Sequence, residues 1–230
     1  MTRNIGIVPI KSYSKRIPNK NFKDLNGKPL WRWTFDILVK SNIFDYIFLS
    51  SDKPDLLKLN NSKNIKLIKR KEELCKSNIH ASEVIFDILQ NNDYKFSSSD
   101  NIMMFLPTSP FRSTESIKKA SRILKEGFSS VIGISKASKG SNSYRTLNKD
   151  NILVHTCGEK DFHRQSTDIN EFIVSGSIFA SKLNSLLKYR TFHQPETYGL
   201  LVNESESIDI NTELDFLTAQ AYLNKFNVKN

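Results

Sequence analysis

The sequence predicts an α/β fold with a mainly parallel sheet flanked by helices, and three observations carry that prediction. Over the first 135 residues, short apolar runs alternate with longer helix-compatible segments, the pattern of βαβ units around a buried sheet. At 230 residues the chain can bury one full core but is cramped for two independent domains. Hydrophobic residues at 38% and charged residues at 25% are ordinary for a folded protein, which sets disorder aside.

The strands are expected at NIGIVPI (4–10), YIFLSSD (46–52), NIKLIK (64–69), NIMMFLP (101–107) and SSVIGIS (129–135). Between them, helices are expected at 29–41, 53–60, 81–92 and 114–127. The last places Ile117, Ala120, Ile123 and Leu124 on one face, with Gly127 where a helix would stop. Trp31 and Trp33 follow Pro29 at the start of the first helix, where burial against the sheet is the expected fate. From about Lys136 the rhythm breaks. A polar stretch leads to a hairpin around Asn148 to Asn151, then to a strand at EFIVSGSIFAS. The chain ends with YGLLVN and a short strand at SIDI, which runs into an amphipathic helix capped by Thr212. The expected organisation is therefore a single domain over 1–230 with a small β-rich excursion at about 136–172.

A formal net charge of +10 implies attraction to something anionic, whether nucleic acid, a membrane surface or a phosphorylated small molecule. Nucleic acid is disfavoured, because the cations are spread along the chain and 24 acids accompany 34 bases. No stretch approaches the roughly 20 apolar residues of a membrane helix, and the start lacks a long apolar segment. No membrane association and a cytoplasmic location are therefore expected. Cys75 and Cys157 are the two cysteines; neither sits in a metal-ligand spacing, and a disulfide scaffold is not expected.

Ligands of open parallel sheets bind beyond the carboxyl ends of the strands, so strand exits deserve most weight. The first exit carries Lys11, Lys15, Arg16 and Lys20 among Ser12, Ser14 and Asn21. The second ends in Ser50, Ser51 and Asp52, and the fourth in PTSPFRS. The first loop matches neither the GxxxxGK[ST] nor the GxGxxG phosphate motif. Its cations can nevertheless converge on one triphosphate, with hydroxyls and backbone N–H groups as neutral donors; a solvated loop is the competing reading. In IDINTELD, Asp209 and Asn211 lie two apart, which suits an oxygen-loving cation such as Mg²⁺. Helix-dipole stabilisation explains Glu213 and Asp215 better than it explains Asp209.

Taken in order, PIKSYSKRIPNKNFKDLNGKPL, LPTSPFRS, RQSTDINEFIVSGSIFA and SIDINTELDF resemble the acylneuraminate cytidylyltransferase family over nearly the whole chain. The resemblance implies a Rossmann-like nucleotidyltransferase sheet of GT-A-like type. It also implies a reaction in which a nonulosonic, sialic acid-like sugar acid takes CMP from CTP with Mg²⁺ and releases pyrophosphate. Carried over by position, Lys11, Lys20 and Asp209 would be catalytic. Ser12, Ser14, Lys15, Arg16, Asn21, Arg70 and His80 would join Lys11 and Lys20 around the nucleotide. Leu106, Thr108, Ser109, Arg145, Arg164, Gln165, Ser175 and Gly176 would face the sugar, and Asp209 and Asn211 the metal.

Departures from the family pattern are informative. Lys11 stands where an arginine is usual and loses the guanidinium fork. Arg16 stands where glycine is common, a variant that resembles the pseudaminic acid branch. Leu106 replaces a glutamine, Ser175 to Phe179 read SGSIF rather than NGAIY, and Asn211 replaces the second metal-binding aspartate. An altered acceptor is the expected meaning. A cytidylyltransferase for 3-deoxy-octulosonate, a phosphonate or a phosphate is one alternative, and a degenerate nucleotide-binding protein is another. The excursion is short for the family's dimer-forming segment, so a homodimer is left open. Scattered His80, His155 and His163 form no metal triad, and Ser109 has no partner base for nucleophilic chemistry.

Overall fold

The computed structural model describes residues 2–53, 56, 64–76, 78–90, 94–138, 145–147, 149, 151, 153–155 and 171–226. Its centre is β1 (Asn4–Ile10), every residue of which is buried. A strand enclosed on both faces must be apolar throughout, and NIGIVPI is. β1 pairs in parallel with β4 (Tyr46–Ser51) on one side and with β6 (Asn101–Met104) on the other. β5 (Ile65–Lys69) extends the sheet beyond β4. β7 (Ser130–Lys136), β10 (Phe172–Lys182) and β11 (Tyr198–Leu201) complete seven strands in the order β11-β7-β10-β6-β1-β4-β5. Only β10 runs against its neighbours. Two small antiparallel pairs stand apart, β2 (Asp24–Leu25) with β3 (Lys28–Pro29) and β8 (Arg145–Leu147) with β9 (Leu153–His155).

Strand parity divides the core. Val8 and Ile10 face α1 (Leu30–Ser41) and α3 (Thr114–Lys125), through Trp31, Phe35, Leu38 and the Ile117, Ala120, Ile123, Leu124 stripe. Ile5 and Ile7 face the other way, onto Val84, Ile85 and Ile88 of α2 (Ala81–Gln90) and Leu183 and Leu186 of α4 (Leu183–Tyr189). A third cluster lies beneath the exit of β1. There Ile17, Leu25, Leu30, Trp33 and Ile210 pack against Phe216, Ala219 and Leu223 of α5 (Glu213–Phe226). Both tryptophans are buried, as their position behind Pro29 requires. No helix of the described residues is long and apolar enough to cross a membrane.

Several elements differ from expectation. The β6 ladder stops at Met104, because beyond Phe105, which still bonds Ile7, the chain turns through Pro107 and Thr108. The expected strand at SIDI is instead a 3₁₀ turn, Glu204–Ser207, followed by an extended strip whose Ile210 N–H donates to Thr108 at 2.8 Å. One such bond does not make a ladder. α4 and the β2–β3 pair were not anticipated, and most of the expected helix at 53–60 lies outside the described residues. α5 is less amphipathic than expected, since Leu214 and Leu217 are exposed on its outer side.

Thr212 and Asp215 form a reciprocal cap on α5. Asp215 N–H donates to Thr212 Oγ1 at 3.2 Å, while Asp215 Oδ2 accepts from the N–H groups of Thr212 at 2.7 Å and Asn211 at 2.9 Å. Partial burial disfavours ionisation of Asp215, but these backbone donors outweigh it and hold the carboxyl below its usual range. A depressed carboxylate stabilises the fold above its unfolded pKa of about 3.9 and ceases to as pH falls through the folded value. Asp215→Ala should therefore cost about 1 kcal/mol in urea unfolding at neutral pH. The gap from the unsubstituted protein should narrow in acid.

Candidate active site

β1, β4, β5 and β6 are parallel, so their carboxyl ends open on one edge of the sheet. A cavity of about 450 Å³ lies there, lined by residues that follow β1, β5 and β6 and by the start of α2. Its floor is the loop from Lys11 to Asn21. Ile17, fully buried in the third core cluster, anchors that loop amid its charges. Asp52, at the exit of β4, accepts from Ser12 N–H at 2.8 Å and from Ser12 Oγ at 2.5 Å. Asn21 Nδ2 donates to Lys11 O at 2.9 Å and closes the loop on itself.

Lys20 is 8% exposed and donates from Nζ to Ile210 O at 2.5 Å. Burial brings its pKa down to about 8; nearby Arg16 and Lys11 act in the same sense, and Asp209 opposes them. Arg70 is also buried, which lowers its pKa, and it lies against the exit of β4 through Ser50 O at 3.3 Å. Lys11, Ser14, Lys15, Arg16, Lys20, Asn21 and Arg70 thus line the same cavity as Leu106, Pro107 and Thr108.

A corner built around Gly176 adjoins this lining. Gly176 has φ +73°, and a Cβ there would stand 2.9 Å from Ser109 Oγ and 3.7 Å from Asp209 Cγ. Side-chain bulk is excluded on both counts. Ser109 Oγ and Asp209 Oδ1 are buried and have no hydrogen-bond partner among the described residues. Asp209 Oδ2 accepts from Asn211 Nδ2 at 2.5 Å, and Asn211 Oδ1 accepts from Arg16 Nη2 at 2.8 Å. The structure therefore joins Arg16, Asn211, Asp209, Ser109 and Gly176 across four segments. Among the described residues no group of three or more His, Cys, Asp or Glu is arranged for a metal.

Other sequence-predicted residues lie elsewhere. Ser12 turns to Asp52 and is not in the cavity wall. His80 is exposed, although its neighbours Ile79 and Ala81 line the cavity. Ser175 lies in the stretch of β10 where the register against β7 shifts, between Val174 and Phe179. Its Oγ lies 2.6 Å from Ser177 Oγ, and both would meet a Cβ at Gly133 of β7. Arg145 is placed by its backbone alone, opposite His155 in the β8–β9 pair. Arg164 and Gln165 lie outside the described residues.

Two residues whose roles the sequence did not give organise the site. Asp52 fixes the start of the cationic loop, and LSSD at a strand exit was its only trace. Arg112 is 4% exposed and donates to Leu106 O, to Ser177 O and, at 2.7 Å, to Thr34 Oγ1. It pins the loop after β6 to the bulge of β10. Burial lowers its pKa to about 9, with Glu206 and Asp209 opposing the shift. An arginine enclosed within PTSPFRS was the available signal.

Comparison with known proteins agrees with this geometry. A cytidylyltransferase family profile matches residues 5–172. The chain is 28% identical over 220 residues to CMP-N,N'-diacetyllegionaminic acid synthase of Legionella pneumophila, covering 93% of both chains. It is 28% identical over 224 residues to N-acylneuraminate cytidylyltransferase of Streptococcus agalactiae, covering 95% of this chain but 53% of that protein. It is 23% identical to pseudaminic acid cytidylyltransferase of Campylobacter jejuni over 93% of both chains. Among solved structures, 2-C-methyl-D-erythritol 4-phosphate cytidylyltransferase of Francisella tularensis superposes with a TM-score of 0.68 at 18% identity, covering 96% of this chain and 99% of that one. CMP:2-keto-3-deoxy-manno-octonic acid synthetase in complex with CTP gives 0.67 at 10% identity, covering 98% and 100%. These two likenesses concern the fold, whereas the profile spans more than half of the sequence, and the chain belongs to the cytidylyltransferase family.

Proposed function

We propose that this enzyme transfers CMP from CTP to the anomeric hydroxyl of a nonulosonic acid, releasing pyrophosphate. The carrying observation is the cationic wall. Lys11, Lys15, Arg16 and Lys20 line one cavity at the carboxyl edge of a sheet whose family acts on cytidine nucleotides. The relatives matched along 93% of their own length act, by their names, on legionaminic and pseudaminic acids, and those matched along about half of theirs on N-acylneuraminic acid. An α/β unit over 1–230 with its excursion at 136–172, working in the cytoplasm where CTP is made, is the matching organisation.

In this reading the sugar hydroxyl oxygen attacks the α-phosphorus of CTP in line. The new P–O bond forms as the bond to the bridging oxygen of pyrophosphate breaks, and the hydroxyl proton leaves to solvent. Negative charge grows on the leaving group, and fixed cations stabilise it without reorganisation at the moment of reaction. Lys20 is prepared for this by burial, since a desolvated ammonium interacts strongly with a phosphate that replaces its lost water. Lys11, Lys15 and Arg16 lie further out and guide the triphosphate. Arg70 and the apolar wall of Leu74, Ile79 and Val84 would take the cytidine end.

The residues present also fit a divalent cation. Asp209 offers a buried oxygen with no partner among the described residues, beside the phosphate loop, and Mg²⁺ completes its shell with phosphate oxygens and water. When bound, the ion would supply charge neutralisation at the transferring phosphate. Leu106, Thr108, Ser109 and Gly176 would border the acceptor, and Arg145 and Arg164 would answer its carboxylate.

Pyrophosphate release with CTP and Mg²⁺ tests the function directly, across N-acetylneuraminic, legionaminic, pseudaminic and 3-deoxy-octulosonic acids. Turnover with one nonulosonic acid is expected. Turnover with the octulosonate alone would reassign the acceptor, and absence of CTP binding would refute the reading. Lys20→Ala should lower turnover roughly a hundredfold while leaving the fold intact. The titration of Lys20 near pH 8 gives a separate check. Bound phosphates raise this pKa, so CTP affinity should fall as pH rises from about 7 to about 9. Calorimetry in buffers of different ionisation enthalpy should show proton uptake at the upper end, absent in Lys20→Arg.

A further inference from the structure

The phosphate loop and the Asp209 corner are joined by a chain of three side chains. Arg16 Nη2 donates to Asn211 Oδ1 at 2.8 Å, across 195 residues of sequence, and Asn211 Nδ2 donates to Asp209 Oδ2 at 2.5 Å. The neighbours fix the amide's orientation, because a guanidinium needs an acceptor and a carboxylate needs a donor. Asp215 holds the Asn211 backbone N–H at 2.9 Å, so the residue is anchored from behind. Asn211 thereby spends both ends of its amide within the protein. A carboxylate at 211 would instead set two like charges at hydrogen-bond distance and require a cation between them.

The consequence is a corner with one open carboxylate oxygen, Asp209 Oδ1, next to a guanidinium that is already positioned. Lys11, Lys15 and Lys20 line the same cavity as Arg16. A second divalent ion would enter a field of four cations, and the nearby Asp215 carboxylate is already engaged by the backbone N–H groups of Asn211 and Thr212. The guanidinium keeps donors free after the Asn211 bond, and their planar geometry matches two phosphate oxygens.

We infer that Arg16 is a phosphate-binding cation held in position by Asn211, and that the corner takes one divalent ion on Asp209. The Arg16 guanidinium replaces the charge that a second carboxylate-bound ion brings to two-metal phosphoryl-transfer sites. This rests on the cytidylyltransferase function proposed above. In the free protein an exposed pair of this kind contributes little to stability, so its value is realised when phosphate arrives.

The test is CTP binding by calorimetry with Mn²⁺ in place of Mg²⁺, with bound Mn²⁺ counted by electron paramagnetic resonance. Unsubstituted protein should bind one Mn²⁺ in total per CTP complex. Arg16→Ala should weaken CTP about tenfold, and Arg16→Lys should recover only part of the loss because it lacks the fork. The double variant Arg16→Ala, Asn211→Asp should regain CTP affinity and bind two Mn²⁺. Two Mn²⁺ in the unsubstituted protein, or an unchanged CTP affinity in a folded Arg16→Ala variant, would overturn the inference and leave the function standing. No CTP binding by the unsubstituted protein would overturn both.

Discussion

Ile210 is the point on which the site depends. Its N–H donates to Thr108, its carbonyl accepts from Lys20, and its side chain is fully buried beneath the cationic loop. Three segments remote in sequence are thereby fixed to one residue: the loop after β1, the loop after β6 and the approach to α5. Burying an isoleucine side chain contributes on the order of 2 kcal/mol, and each backbone bond here also satisfies a group that would be costly to leave unpaired. The apolar side of this junction continues into Ile17, Trp33 and Phe216. Its polar side carries Asp209 and Asn211, so α5 acts in the site by holding the strip in front of it.

That arrangement sets hydrophobic anchoring against electrostatic strain. Five cations line one cavity, and burial pushes the pKa of Lys20 down, with Arg16 and Lys11 acting in the same sense. A sequence chosen for stability alone would not put Lys20 there. The core beneath the loop offsets the repulsion in the free protein, and a polyanion removes it on binding. Local conflict of this kind is the physical reason to place chemistry at the end of β1 rather than at other basic stretches of the chain.

The same conflict decided what was legible in the sequence. Strands β1, β4, β5 and β7 and helices α1 to α3 follow from apolar periodicity, and the loop after β1 stands out because cations there interrupt an apolar pattern. Asp52 and Arg112 were silent because their roles are orientational and depend on backbone groups far away in sequence. Ser175 stands where strand parity changes. The bulge in β10 changes the alternation, so Gly176 rather than Ser175 meets Ser109 and Asp209. α4 and the β2–β3 pair are too short to give a periodic signal. The strip at 208–211 alternates like a strand but makes a single bridge to Thr108, and alternation alone does not distinguish the two.

The departures at 16 and 211 acquire meaning only together. Taken singly, an arginine replacing glycine adds bulk and charge to a phosphate loop, and an asparagine replacing aspartate removes a metal ligand. In the fold they touch, and the Asn211 amide that bonds Asp209 is also the group that accepts from Arg16. Both changes lie on the phosphate side of the cavity. In the proposed reaction Leu106 and the β10 bulge, clamped together by Arg112 through Leu106 O and Ser177 O, would form a separate acceptor side. Because Arg112 rather than the cationic loop holds these two segments together, that side could change shape without disturbing the loop. Charge supply and acceptor choice are therefore separable, and each departure from the family pattern belongs to one of them.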